Sequence, residues 1–120
     1  MKYFSYENKL IEIETLIKNV DITQPRFAIN STTQKIFITA NEGNFVGQDE
    51  ILLKKNVKFS SKKFIIESDN VIFDRKQQTA QSKNKSVFRS KNTTISSEGF
   101  DIYDNGNKIK FYGFSKVILK

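Results

Sequence analysis

The groups that could do chemistry in this chain are carboxylates and ammonium ions, because its 120 residues include no Cys and no His. That removes thiol nucleophiles, disulfides, imidazole acid–base catalysis and the usual zinc ligands. Asp69 and Asp74 are the nearest approach to a hydrolytic carboxylate pair. Nothing around them marks either as buried or paired, so the chain reads as a non-enzyme with no cofactor and no metal. Basic groups are more prominent, with 20 Lys and Arg against 13 Asp and Glu. They are unevenly spread: residues 1–50 carry 5 basic and 7 acidic side chains, residues 51–120 carry 15 and 6. Lys54, Lys55, Lys58, Lys62 and Lys63 form one cluster. Arg75, Lys76, Lys83, Lys85, Arg89 and Lys91 form a second with no acid between them.

Such groups need a framework, and the composition points to a sheet. Ile, Val and Phe total 32 residues while Ala and Leu total 8, which favours a pleated, half-buried surface over a helix. Alternation supports it. Ile36, Ile38 and Ala40 share one face, as do Phe64, Ile66 and Ser68, and Val71 with Phe73, Ile109 with Phe111 and Val117 with Leu119 repeat the pattern. Asn105-Gly106 lies between two alternating runs, so residues 100–112 are expected to form a hairpin. Leu10, Ile13, Ile17 and Val20 fit a helical spacing, yet Ile11, Ile13 and Ile17 also fit a strand, which is the preferred reading. No apolar run exceeds three residues, which predicts neither a transmembrane helix nor a signal peptide in this chain.

The sequence also repeats itself at a lag of 28 to 29 residues. Ile38-Thr-Ala-Asn-Glu-Gly-Asn-Phe45, Ile66-Glu-Ser-Asp-Asn-Val-Ile-Phe73 and Ile95-Ser-Ser-Glu-Gly-Phe-Asp-Ile102 align, each with Ile first and Ala or Ser two residues on. The lead-in repeats as well, Phe59-Ser-Ser-Lys against Phe88-Arg-Ser-Lys. A unit of this size cannot bury its apolar face alone, so successive units must stack or roll together. The small residue (Ala40, Ser68, Ser97) reads as a corner, and the nearby Glu42, Asp69 and Glu98 as structural rather than catalytic.

These repeats, with Thr23-Gln24-Pro25-Arg26-Phe27 ahead of Phe37-Ile38-Thr39-Ala40 and the ending Ser97-Glu98-Gly99-Phe100 to Lys108-Ile109-Lys110-Phe111 with Val117, resemble the LptC-type periplasmic domains of the LptA/LptC/OstA family of lipopolysaccharide-transport proteins. The resemblance spans roughly residues 20–119. It implies a single all-β domain over 1–120, a twisted open β-jellyroll, with residues 1–19 a less certain N-terminal strand or helix. It further implies a periplasmic, inner-membrane-associated protein that shelters lipopolysaccharide acyl chains in an apolar groove. Its implied partners are the inner-membrane lipopolysaccharide transporter complex and an LptA-like jellyroll that docks by strand addition. The family's N-terminal membrane anchor has no counterpart in Met1-Lys2-Tyr3-Phe4-Ser5-Tyr6.

The residues support a lipid-facing interior on their own terms, because large side chains on the inner face of an open, curved sheet can line a cavity. The candidates for the groove are Ile38, Phe45, Ile51, Leu53, Phe59, Phe64, Ile66, Val71, Phe73, Ile95, Ile102, Ile109 and Phe111. Each is equally an ordinary core position. Ser115, Lys116, Val117, Ile118 and Leu119 form the candidate partner edge strand. The lysines serve either as a solvated face and edge guard or as a basic rim for headgroup phosphates. Nucleic acid is the weaker partner: binders of single strands interleave exposed aromatics with basic residues, whereas most Phe here are expected to face inward. The remaining alternative is a β scaffold with a closed core that binds only protein.

Overall fold

A computed structural model describes residues 21–113 and 116–119. The N-terminal stretch containing Leu10, Ile13, Ile17 and Val20 lies outside the described residues, as does Ser115. Every described element is a strand: β1 (Asp21–Thr23), β2 (Arg26–Asn30), β3 (Lys35–Thr39), β4 (Glu42–Phe45), β5 (Glu50–Ser60), β6 (Phe64–Asp74), β7 (Thr79–Ser82), β8 (Ser86–Ser90), β9 (Thr93–Ser97), β10 (Gly99–Tyr103), β11 (Lys108–Tyr112) and β12 (Lys116–Leu119). The expected hairpin is β10 and β11, in register from Gly99 with Tyr112 to Tyr103 with Lys108.

β5 and β6, 11 residues each, are the frame, and each is shared between two leaves. The first part of β5 pairs with β4 and the last part with β3, while β6 begins against β8 and ends against β7. One leaf therefore runs β1-β4-β5-β6-β7-β10-β11, and the other β2-β3-β5-β6-β8-β9-β12. The register of β5 and β6 shifts between Lys54 and Val57, where Lys55 and Asn56 take φ of 64° and 58°. This bulge turns the long hairpin from one leaf into the other.

The repeat now has a physical meaning. Each copy is one crossing from the second leaf to the first, by way of β3 to β4, along β6, and from β9 to β10. The leading Ile faces inward on one leaf, the closing Phe or Ile faces inward on the other, and the small residue sits between them. Ala40, Ser68 and Ser97 are all buried. A larger residue would hold the leaves apart. Buried hydroxyls need partners, and Ser68 Oγ lies 2.9 Å from Ser82 Oγ and 3.0 Å from Ser86 Oγ, the two residues flanking the β7 to β8 crossing.

Between the leaves lies one apolar cluster, from Ile29, Ile36 and Ile38 through Phe59 and Phe73 to Phe100 and Ile102. Ring contacts fix how the leaves meet. Phe27 of β2 packs 5.2 Å from Phe73 of β6, and Phe59 of β5 meets Phe100 of β10 edge-on at 5.5 Å. One side is closed by turns: Thr32 Oγ1 donates to Asn107 Oδ1 at 2.9 Å and Asn30 N to Gln78 Oε1 at 2.8 Å. The β10–β11 turn needs its glycine there, since Gly106 has φ of 84° and a Cβ would stand 2.4 Å from Ile29 Cγ2.

Candidate functional site

Of the thirteen groove candidates, Ile38, Ile51, Leu53, Phe59, Phe64, Ile66, Val71, Phe73 and Ile102 belong to the buried cluster. Phe45, Ile109 and Phe111 are half-buried and pack against its margin. Ile95 is half-buried and stands outside it. Most of the nominated face is thus the packed interior between the leaves, and a smaller part borders solvent. Ile22, Phe27 and Phe88 also lie at the margin and were not among the nominated residues. Phe88 was detectable, because the repeat aligns it with Phe59.

The margin is continuous around Phe88. Its ring centroid is 5.3 Å from Phe64 within one leaf and 5.4 Å from Phe111 across the gap, the latter at 70°. Phe88 registers with Ile95, so the inner face of this leaf runs on from β8 to β9, the strand that pairs with β12. Ile109, two residues before Phe111 on the same face of β11, registers with the buried Ile102. β11 and β12 end their leaves, each pairing with one neighbour among the described strands. The arrangement is a half-exposed apolar strip between two terminal strands. It can shelter a chain-like apolar ligand.

The opposite margin is pinned. Phe45 lies 5.0 Å under the Arg75 guanidinium, whose Nε donates to Asp49 Oδ1 at 3.3 Å while Arg75 N donates to Asp49 O at 3.0 Å. Asp74 Oδ1 accepts from Lys76 N and Gln77 N, so it caps the β6–β7 turn. It stands five residues along β6 from Asp69, roughly 16 Å for an extended strand, too far apart for a catalytic pair.

The basic clusters disperse in space. Lys55 pairs with Glu42 at 3.0 Å, Arg75 with Asp49, and Arg89 with Glu67. Lys62 and Lys63 sit in the β5–β6 turn, and Lys83 and Lys85 at the β7 to β8 crossing. Glu42 is therefore an ion-pair partner, and Asp69 and Glu98 are exposed. Tyr112 is the one described group with a resolved shift: burial, then the charge of Asp101, pushes its phenol above the ordinary value. Its hydroxyl donates to Ser82 O at 2.7 Å.

The nominated edge strand is β12, over Lys116–Leu119, in register with β9 from Lys116 with Ser96 to Leu119 with Thr93. Ile118 is exposed on its outer face. An edge strand of this kind presents unpaired main-chain groups to a further strand.

None of the curated proteins compared matches the chain. Two open leaves and an apolar strip at their margin agree with the family whose model matches. That model, LptC, described as lipopolysaccharide-assembly, LptC-related, matches residues 1–118, and the chain belongs to this family of lipopolysaccharide-transport components.

Proposed function

We propose that this chain is a non-enzymatic segment of the bridge that carries lipopolysaccharide from the inner to the outer membrane, and that it holds the acyl chains along Phe88, Ile95, Ile109 and Phe111. The observation that carries this reading is the half-buried strip itself, continuous with the core and lying between the last strands of both leaves. The fully buried candidates, such as Phe59 and Phe73, form the floor that keeps the leaves packed. Each methylene removed from water contributes about 0.8 kcal/mol, so sheltering half a dozen gives roughly 5 kcal/mol without any chemistry. Such a site binds and releases its cargo reversibly. The bridge continues through β12, which adds a strand to an LptA-like jellyroll, while the domain stands in the periplasm beside the inner-membrane transporter. Titration of the purified chain with lipopolysaccharide and with its deacylated counterpart tests the reading. Binding that requires the acyl chains is expected. Equal binding of the deacylated form would contradict a groove for acyl chains and leave a headgroup site.

A further inference from the structure

A second apolar feature lies on the outside of the molecule, away from the margin. Phe37, on the outer face of β3, is 53% exposed, the most exposed large apolar side chain among the described residues. It borders a cavity of about 580 Å³ lined also by Thr33, Gln34, Lys35, Ser60, Lys62 and Lys63. The β2–β3 and β5–β6 turns bring these residues together at one end of the second leaf. Its charge is of one sign: neither Asn30 to Thr39 nor Val57 to Ile66 contains Asp or Glu. Lys35 Nζ stands 5.5 Å from the centre of the Phe37 ring, and no described acid pairs with Lys35, Lys62 or Lys63. Along the same outer row, Phe37 registers with Ser60 and Ser60 with Ile65, which is 39% exposed, so a second apolar side chain lies across the strands at the same tip.

An aromatic ring set among unpaired lysines and hydroxyls matches the boundary of an anionic bilayer. The ring enters at headgroup depth, the ammonium groups meet lipid phosphates, and long Lys stems lie along the apolar surface. We propose that this end of the molecule docks on the surface of a membrane containing anionic phospholipid, through Phe37, Lys35, Lys62 and Lys63. The surface is distinct from the strip around Phe88 and Phe111, so the proposal stands whether or not that strip carries acyl chains. Docking there would orient the jellyroll relative to the membrane from which its cargo departs.

The chain has no Trp, so Phe37→Trp supplies a single tryptophan at an exposed site. With vesicles of phosphatidylglycerol and phosphatidylcholine its emission is expected to shift to the blue. With pure phosphatidylcholine it is expected to stay put, and salt is expected to reverse the shift. In co-sedimentation, the Lys35→Gln, Lys62→Gln, Lys63→Gln triple variant should bind the anionic vesicles at least about tenfold more weakly. Lys83→Gln with Lys85→Gln and Lys110→Gln, which removes equal charge elsewhere, should bind nearly as the parent does. Equal loss in both triple variants would overturn the proposal by showing attraction to net charge alone. So would a tryptophan shift that follows protein concentration and not lipid, which would mark a contact between copies of the chain.

Discussion

The ring of Phe88 on β8 meets the ring of Phe111 on β11 at 5.4 Å and 70°. This contact joins the two leaves at the border of the core, in an edge-to-face geometry that is favourable beyond simple burial. On one side of it the interior is closed by Phe59 and Phe100. On the other side Ile95 is left half-buried and outside the cluster. The pair therefore marks where a packed core becomes a surface that a ligand can share.

The serines of the corner predict a first outcome. Ser68 links Ser82 and Ser86 in a buried site, so Ser68→Val takes one partner from each, leaving Ser82 Oγ to accept from Asn84 N and Ser86 Oγ to donate to Asn84 O, while adding bulk where the leaves meet. A loss of roughly 1–3 kcal/mol is expected in chemical denaturation. Unchanged stability would show that the hydroxyl cluster does not hold the corner.

Gly106 predicts a second. Its positive φ and the nearness of Ile29 make Gly106→Ala costly twice over, through backbone strain and collision with β2. The expected loss is about 1–3 kcal/mol. Pairing it with Ile29→Ala, which removes the Cγ2 methyl that the new Cβ would meet, tests the cause: in a double-mutant cycle the combined loss should be less than the sum of the two single losses.

The fold and the site were legible to different degrees, for identifiable reasons. Alternation located β3, β6, β10 and β11, since one buried face leaves a period of two, and the repeat located the corner because Ala40, Ser68 and Ser97 answer to one steric demand. The partition of the inward face was not legible. Phe73 and Phe111 have the same pattern in sequence, and only the stagger of the leaves makes one core and the other margin. The partners of the basic run were not legible either: Arg75 and Arg89 belong to one run without acids, but strand pairing brings them to Asp49 and Glu67.

Tyr112 gives a prediction in pH. Its phenol is held above the ordinary value by burial and by Asp101, so the native state keeps its proton longer than the unfolded chain. The stability this contributes is fully present below the unfolded value and is lost as pH rises through the folded one. Between about pH 9 and about pH 11 the parent should lose more melting temperature than Tyr112→Phe does. At neutral pH the variant should be weaker by about 1 kcal/mol, having lost its bond to Ser82 O. Parallel alkaline profiles would contradict this role.

Strand addition at the C-terminal edge gives another. Removing residues 113–120 takes away β12 and should abolish binding to an LptA-like jellyroll, while circular dichroism stays that of a β protein because the core lies elsewhere. Retained binding would move the joint to another edge.

The most direct test of the central claim is photo-crosslinking at three positions of the intact chain in the presence of lipopolysaccharide. Ile109 represents the margin, Phe73 the core at 1% exposure, and Tyr103 an outer face at 42% exposure. An adduct selective for Ile109 is the predicted result. Equal labelling at Ile109 and Tyr103, or none at Ile109 in a folded sample, would contradict the account and favour a closed β scaffold that binds only protein.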